Sequence, residues 1–81
     1  MNKSEIKDKL QNILIDILDN ENISIYDELL LKDLKGWSSL SNAMFISAVE
    51  IEFNLRFKLA DLMRISYVKD VIDLIINKHN F

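Results

Sequence analysis

Cysteine and proline are absent from this 81-residue chain, and glycine and histidine occur once each. Without cysteine the chain has no disulfide, no thiolate metal site and no cysteine nucleophile. No pair of carboxylates has a partner base, a metal-ligating histidine or a glycine-rich loop, so neither a catalytic nor a metal site is expected. The sequence also lacks the Asn-Gly and Asp-Gly dipeptides typical of hairpin turns. Together these absences predict an all-α protein that is not an enzyme.

The charge and the length of the chain argue against several further classes of protein. The net charge is −3, and the basic residues form no obvious stripe, which argues against nucleic-acid binding. No apolar run approaches the roughly 20 residues that span a bilayer, and the polar N-terminus does not resemble a signal peptide. We therefore expect a single domain over residues 1–81 and a cytoplasmic, monomeric protein.

Apolar residues recur at helical spacing near the N-terminus and predict a first helix over residues 3–18. Its inward face consists of Ile6, Leu10, Ile13, Leu14, Ile17 and Leu18. Either Asn2 with Glu5 or Ser4 alone could cap its start. Residues 19–37 then form a long connection with too many apolar groups for a free loop, so we expect an ordered crossover with a helical turn near residues 27–31.

Three further helices follow. The second is predicted over residues 39–53, with its core stripe formed by Leu40, Ala43, Ile46, Val49 and Phe53. A short third helix fits residues 59–64. Ser66 is a candidate N-cap for a fourth helix that ends near Asn77, with Val68, Val71, Ile72 and Ile75 facing inward. The predicted fold is a small four-helix bundle of three main helices and a short third helix, with a long loop between the first two.

The segment Gly36-Trp37-Ser38-Ser39-Leu40 is the most informative motif. It places a serine hydroxyl at the start of the second helix, where free N–H groups and the helix dipole favour an attached phosphate. Ser38 suits the N-cap position. Trp37 could pack in the core or contact a prosthetic group or partner.

This segment resembles the modification site of acyl carrier proteins, in which a serine within Asp-Ser-Leu, often preceded by Trp, holds a phosphopantetheine arm. Ser39-Leu40 and Glu52-Phe53 fit that pattern. So do Leu31-Lys32-Asp33-Leu34 before the serine and Ile65-Ser66-Tyr67-Val68 before the last helix. The resemblance extends over nearly the whole chain.

The resemblance implies a carrier of acyl or aminoacyl thioesters with 4'-phosphopantetheine, derived from coenzyme A, attached to Ser39. Implied partners are a phosphopantetheinyl transferase, an acyl- or aminoacyl-loading ligase, and downstream transferases or synthases. The implied docking surface is formed by Trp37, Ser38, Leu40, Ser41, Met44, Ser47 and Ile51.

The chain departs from the family pattern at several positions. Ser38 replaces the Asp beside the modified serine, and three positions that are commonly acidic in fatty-acid carriers hold Ser41, Met44 and Ile51. Arg56 and Lys58 stand where acidic residues or proline are frequent. These departures predict a carrier for a specialised biosynthetic pathway.

Two other interpretations stay open. One is a carrier-like interaction module that never receives the arm, which the apolar Met44 and Ile51 favour. The other is an unrelated helical adaptor that uses its exposed apolar helix as a groove or dimer contact. Met44 and Ile51 could instead be partly buried under the crossover.

Overall fold

The computed structural model describes residues 1–79, which form four α-helices and one 3₁₀ turn. The helices are α1 (Lys3–Leu18), α2 (Ser39–Phe53), α3 (Leu59–Leu62) and α4 (Val68–His79), and the 3₁₀ turn is Leu31–Asp33. The all-α bundle with a short third helix is confirmed. No helix in this part of the chain is both long enough and apolar enough to cross a membrane.

Capping residues fix both ends of α1. The Asn2 side chain accepts the N–H of Glu5 at 2.8 Å, and Glu5 in turn accepts the N–H of Asn2, so the capping box is confirmed and Ser4 is not the cap. At the other end Asp19 is left-handed with φ 50°. Asn54 ends α2 with φ 51°. Asp and Asn tolerate this conformation better than most residues, which lets a chain with a single glycine end two helices sharply.

The core is built from α1, the crossover, α2 and α4, and α1 packs against both α2 and α4. The crossover contributes Ile23, Ile25 and Leu31 to the buried set, which confirms that it is ordered and packed on the bundle. Its helical turn is the 3₁₀ turn at Leu31–Asp33, later in the chain than predicted. Leu31 is buried in this turn. The packing of its side chain therefore positions the turn, and the polar residues near Asp27 do not.

Backbone hydrogen bonds join the crossover to the start of α4. Leu30 and Tyr67 form an isolated antiparallel bridge, and the N–H of Lys69 bonds to the carbonyl of Asp27 at 2.9 Å. The Asp27 carboxylate also pairs with Lys3 and Lys7 of α1, at 2.7 and 2.8 Å. The lysine hydrogen bonds, that of Lys3 foremost, lower the pKa of Asp27 to about 2. The ion cluster links α1 to the crossover, and the backbone bond from Lys69 joins the same residue to α4.

The start of α4 differs from the prediction. The helix begins at Val68, two residues after Ser66, and the cap is supplied from inside the helix by Asp70. Its carboxylate accepts the N–H groups of Ser66 and Tyr67 at 3.0 and 2.8 Å. A carboxylate at this position satisfies two backbone donors and favours the positive end of the helix, so Ser66 is not needed as the cap. The predicted inward residues Val68, Val71, Ile72 and Ile75 are all buried, as expected.

The predicted core stripe of α2 is confirmed at Val49 and Phe53, partly so at Ile46, which is half-buried against the core, and wrong at Leu40 and Ala43. Its buried residues are Ser41, Phe45, Val49 and Phe53, four residues apart, whereas Leu40 is 70% exposed and Ala43 is also exposed. Only Val49 and Phe53 belong to both the predicted and the observed sets. The reason is that α2 carries apolar residues on two opposite faces, so spacing alone does not show which face meets α1.

Candidate functional site

The start of α2 is shaped by Ser38 and Gly36. Ser38 is extended, and its Oγ accepts the N–H of Ser41 at 3.2 Å, so its predicted role as N-cap is confirmed. Gly36 has φ 86°, a conformation that disfavours a side chain, although a Cβ at this position would meet only a Leu18 methyl at 3.9 Å. Glycine is therefore required by the backbone turn rather than by lack of space.

Ser41 helps to hold this turn in place. Its side chain lies 3.1 Å from the Ser38 hydroxyl, and its own hydroxyl donates to the Gly36 carbonyl at 3.4 Å. Only 9% of Ser41 is exposed. The prediction that Ser41 forms part of a docking surface is wrong, because the residue faces inward and closes the loop against the helix.

Ser39 is the first residue of α2, and it is exposed to solvent beside this turn. Its hydroxyl makes no hydrogen bond to any residue that the structure describes. The first helical bond runs from the Asn42 N–H to the Ser38 carbonyl at 2.9 Å, and Ser38 Oγ takes the N–H of Ser41. The N–H groups of Ser39 and Leu40 are thus left at the positive end of the helix, where a negatively charged group on Ser39 is stabilised.

Trp37 packs next to this position. Its ring meets Phe45 edge-on, with ring centroids 5.9 Å apart and an interplanar angle of 70°. This contact confirms the packing role for Trp37. Trp37 also lines a cavity of about 180 Å³ together with Asn42 of α2. The other lining residues are Leu30, Leu31, Lys32, Ile65 and Ser66. A small, partly apolar cavity therefore opens beside the start of α2.

The outward face of α2 is a stripe formed by Leu40, Met44, Ser47 and Ile51, here named the α2 stripe. With 3.6 residues per turn, these four positions lie within about 60° of one another around the helix axis. Met44 is 46% exposed and Ile51 81% exposed, so neither is buried under the crossover. The stripe begins one residue after Ser39 and runs most of the length of the helix.

An open groove of about 730 Å³ lies beside the far end of the stripe. It is lined by Ser47, Glu50, Ile51, Asn54, Leu55 and Arg56. Glu50 Oε2 accepts the N–H of Phe57 at 2.8 Å, which holds the loop after α2 in place. Phe57 is half-buried against the core, so its N–H takes the Glu50 carboxylate as its acceptor.

Comparisons with known proteins identify the family. A scan against profiles of known protein families finds no match. The chain is 34% identical over 83 residues to an acyl carrier protein from Cyanidium caldarium, an alignment that covers 96% of this chain and 91% of the relative. A solution NMR structure of holo acyl carrier protein from Geobacter metallireducens superposes with a TM-score of 0.83 at 28% identity, covering 91% of this chain and 85% of that one.

Both likenesses extend over almost the whole chain, 96% of it for the curated relative and 91% for the solved structure. The chain belongs to the acyl carrier protein family and is a carrier protein rather than an enzyme.

Proposed function

We propose that this protein carries acyl or aminoacyl intermediates as thioesters on a 4'-phosphopantetheine arm joined to Ser39. The observation that carries the proposal is the exposed, unbonded Ser39 hydroxyl at the start of α2, in a member of the carrier family. The bound arm supplies a terminal thiol, which the chain itself lacks because it has no cysteine.

The residues around Ser39 fit such a group. A phosphodiester on Ser39 Oγ would lie at the positive end of α2, near the unused N–H groups of Ser39 and Leu40, which favours it by about 0.3–1 kcal/mol. Ser38 caps the helix without a negative charge, so no carboxylate at the cap repels the phosphate. The relative from Geobacter metallireducens is itself described in its holo form.

The docking surface for partner enzymes is the loop and helix face that surround Ser39. We assign to it Trp37, Ser38 and the α2 stripe of Leu40, Met44, Ser47 and Ile51. Enzymes that load or use the arm must reach Ser39, and the exposed α2 stripe begins beside it and runs along the helix, while Trp37 is half-buried in the preceding loop. The proposed partners are a phosphopantetheinyl transferase, an acyl- or aminoacyl-loading ligase, and downstream transferases or synthases, in the cytoplasm and with a monomeric carrier.

A specialised biosynthetic pathway is the proposed setting. α2 has no acidic residue from Ser39 through Val49, so enzymes that recognise carriers through a basic patch would gain little attraction here. An arm-less interaction module is the second candidate. It is favoured by the exposed apolar side chains of Leu40 and Ile51 and by the serine at position 38.

Intact mass spectrometry after incubation with coenzyme A and a broad-specificity phosphopantetheinyl transferase tests the proposal. We expect the parent protein to gain one phosphopantetheine and Ser39→Ala to gain none. Ser4→Ala, at an exposed serine on α1 outside the docking surface, is the matched control and should be modified like the parent. Circular dichroism verifies that each variant is folded. If the parent stays unmodified even with the transferase from its own organism, the arm-less module replaces the carrier with an arm.

A further inference from the structure

Charge is distributed unevenly along the chain. Residues 32–64, which include Ser39 and all of α2, contain five basic and four acidic residues. The remainder contains five basic and nine acidic residues. The net charge of −3 therefore arises outside the segment that surrounds the proposed attachment site.

Most acidic residues of this segment are already engaged. Glu50 accepts the Phe57 N–H at 2.8 Å, and Glu52 pairs with Lys9 at 3.2 Å. Asp61 pairs with Lys78 at 2.8 Å and also accepts the N–H of Lys58 at 2.8 Å. These bonds lower the pKa of Asp61, that of Lys78 having the largest effect. Lysines thus offset the charges of Glu52 and Asp61, whereas Glu50 keeps its charge because its partner is a neutral N–H.

The basic residues of the segment are not engaged in the same way. Within the part of the chain that the structure describes, none of the five forms an ion pair; they are Lys32, Lys35, Arg56, Lys58 and Arg64. All five are exposed. The charge available to an incoming molecule near α2 is therefore mainly positive.

Arg56 connects this positive charge to the α2 stripe. It lines the same groove as Ser47 and Ile51, and Lys58 follows two residues later at the start of α3. Glu50 also lines this groove, but it is half-buried and bonded to the Phe57 N–H, whereas Arg56 is exposed. A charge that borders the groove acts on whatever docks there, because screening extends over a Debye length of about 8 Å at physiological ionic strength. The stripe therefore has an exposed cation, Arg56, at its far end.

We propose that this surface docks protein partners whose contact face is an apolar cluster bordered by carboxylates. The inference rests on the proposed function in one respect, namely that the docked proteins are the enzymes that act at Ser39. Opposite charges at the border raise association rates and select against partners with basic faces, while the apolar stripe supplies the buried contact. A protein is favoured over an anionic membrane because the stripe begins one residue after Ser39, which the enzymes of the proposed function must reach, and because a net charge of −3 gives no long-range attraction to an anionic surface.

Two synthetic amphipathic helical peptides with identical leucines, one with Glu and the other with Lys at every polar position, serve as probes. Their binding to the ¹⁵N-labelled apo protein is followed by amide chemical shifts. We expect the Glu peptide to bind about five-fold or more tightly at low salt, to shift amides of residues 40–58, and to lose much of this advantage in 0.5 M salt. The proposal is overturned if the Lys peptide binds equally well or if neither peptide shifts these amides.

Two matched variants distinguish an effect of the charge beside the α2 stripe from an effect of the net charge of the protein. Arg56→Glu and Lys69→Glu each change the net charge by −2, but Lys69 lies on α4 beside Tyr67. We expect Arg56→Glu to remove most of the preference for the Glu peptide and Lys69→Glu to retain it. Equal losses in both would overturn the proposal in favour of a net-charge effect. Arg56→Glu/Lys58→Glu should prefer the Lys peptide.

Vesicles of phosphatidylserine and phosphatidylcholine form the third arm of the experiment. We expect no shift of the α2 amides with these vesicles, and a shift would replace the protein partner with a membrane. None of these measurements needs the arm. If the protein is modified at Ser39 but does not prefer the Glu peptide, only the docking proposal is contradicted. If the protein gains no phosphopantetheine mass, only the carrier function is contradicted.

Discussion

The two helices α2 and α4 use their apolar residues differently. α4 buries one face, formed by Val68, Val71, Ile72 and Ile75. α2 buries Phe45, Val49 and Phe53 on one side and exposes Leu40, Met44 and Ile51 on the other. An apolar face that the fold does not need for its core is available for contacts with other molecules. α4 thus uses its inward apolar face for the core, whereas α2 has a second, exposed apolar face, which the proposed docking function would use.

The two helices also start differently. α4 is capped by the carboxylate of Asp70, and α2 by the neutral hydroxyl of Ser38. A carboxylate already occupies the positive end of α4. The N-terminus of α2 has no acidic residue in its first turn, which leaves its field for a group attached to Ser39.

The largest effect is expected in the buried face of α2. Phe45→Ala should lower the free energy of unfolding by about 3–5 kcal/mol, since it leaves a cavity under Trp37. That is a large share of the roughly 5–15 kcal/mol typical of a whole domain. Ile72→Ala in α4 should cost about 2–5 kcal/mol. Urea denaturation followed by circular dichroism measures both. A loss below about 1 kcal/mol for Phe45→Ala would contradict the assignment of the buried face.

The caps should differ in their response to salt. Ser38→Ala and Asp70→Ala should each cost about 0.5–2 kcal/mol, because each leaves N–H groups at a helix start without an acceptor. The Asp70 variant also loses an attraction to the helix dipole of about 0.3–1 kcal/mol, which salt screens. Thermal unfolding at 0.05 and 1 M NaCl compares them. We expect the cost to fall with salt only for Asp70→Ala, and a salt-independent cost there would exclude the charge effect.

The ion cluster of Asp27 with Lys3 and Lys7 joins the crossover to α1 and makes the stability of the protein depend on pH. The pKa of Asp27 is lowered to about 2 from 3.8, so its contribution to stability is present above about pH 4 and is lost as the pH falls toward 2. Asp27→Asn should lower Tm at pH 7, and the difference from the parent should shrink between pH 4 and 2. Calorimetry over this range measures it. A difference that stays constant with pH would mean that the carboxylate is not paired in solution.

The smallest effect is expected on the α2 stripe. Ile51 is 81% exposed, so Ile51→Ala should change the free energy of unfolding by no more than about 0.5 kcal/mol. Ile75→Ala, the same replacement at a fully buried position in α4, should cost about 2–5 kcal/mol. Denaturation curves of the two variants under one set of conditions provide the comparison. Similar losses would mean that the stripe is packed rather than free.

How well the sequence predicts the buried residues differs between the helices. The inward residues of α4 were predictable because its apolar residues follow a single face. Those of α2 were not, because two apolar faces fit the helical period equally well, and only packing against α1 selects one. The burial of Ser41 was also beyond prediction, since a polar residue is buried here only because the Gly36 carbonyl lies in reach of its hydroxyl.

The sequence by itself determined the bounds of α1 and α2, the cap at Ser38, the ordered crossover and the likeness to acyl carrier proteins. These follow from local patterns: helical spacing, capping residues and short motifs. The tertiary structure decided which face of α2 is buried and which carboxylates near it are paired. Both depend on neighbours distant in the chain, such as Lys9 beside Glu52 and Lys78 beside Asp61. No local pattern records those distances, because each pair joins residues that only the packing of the helices brings together.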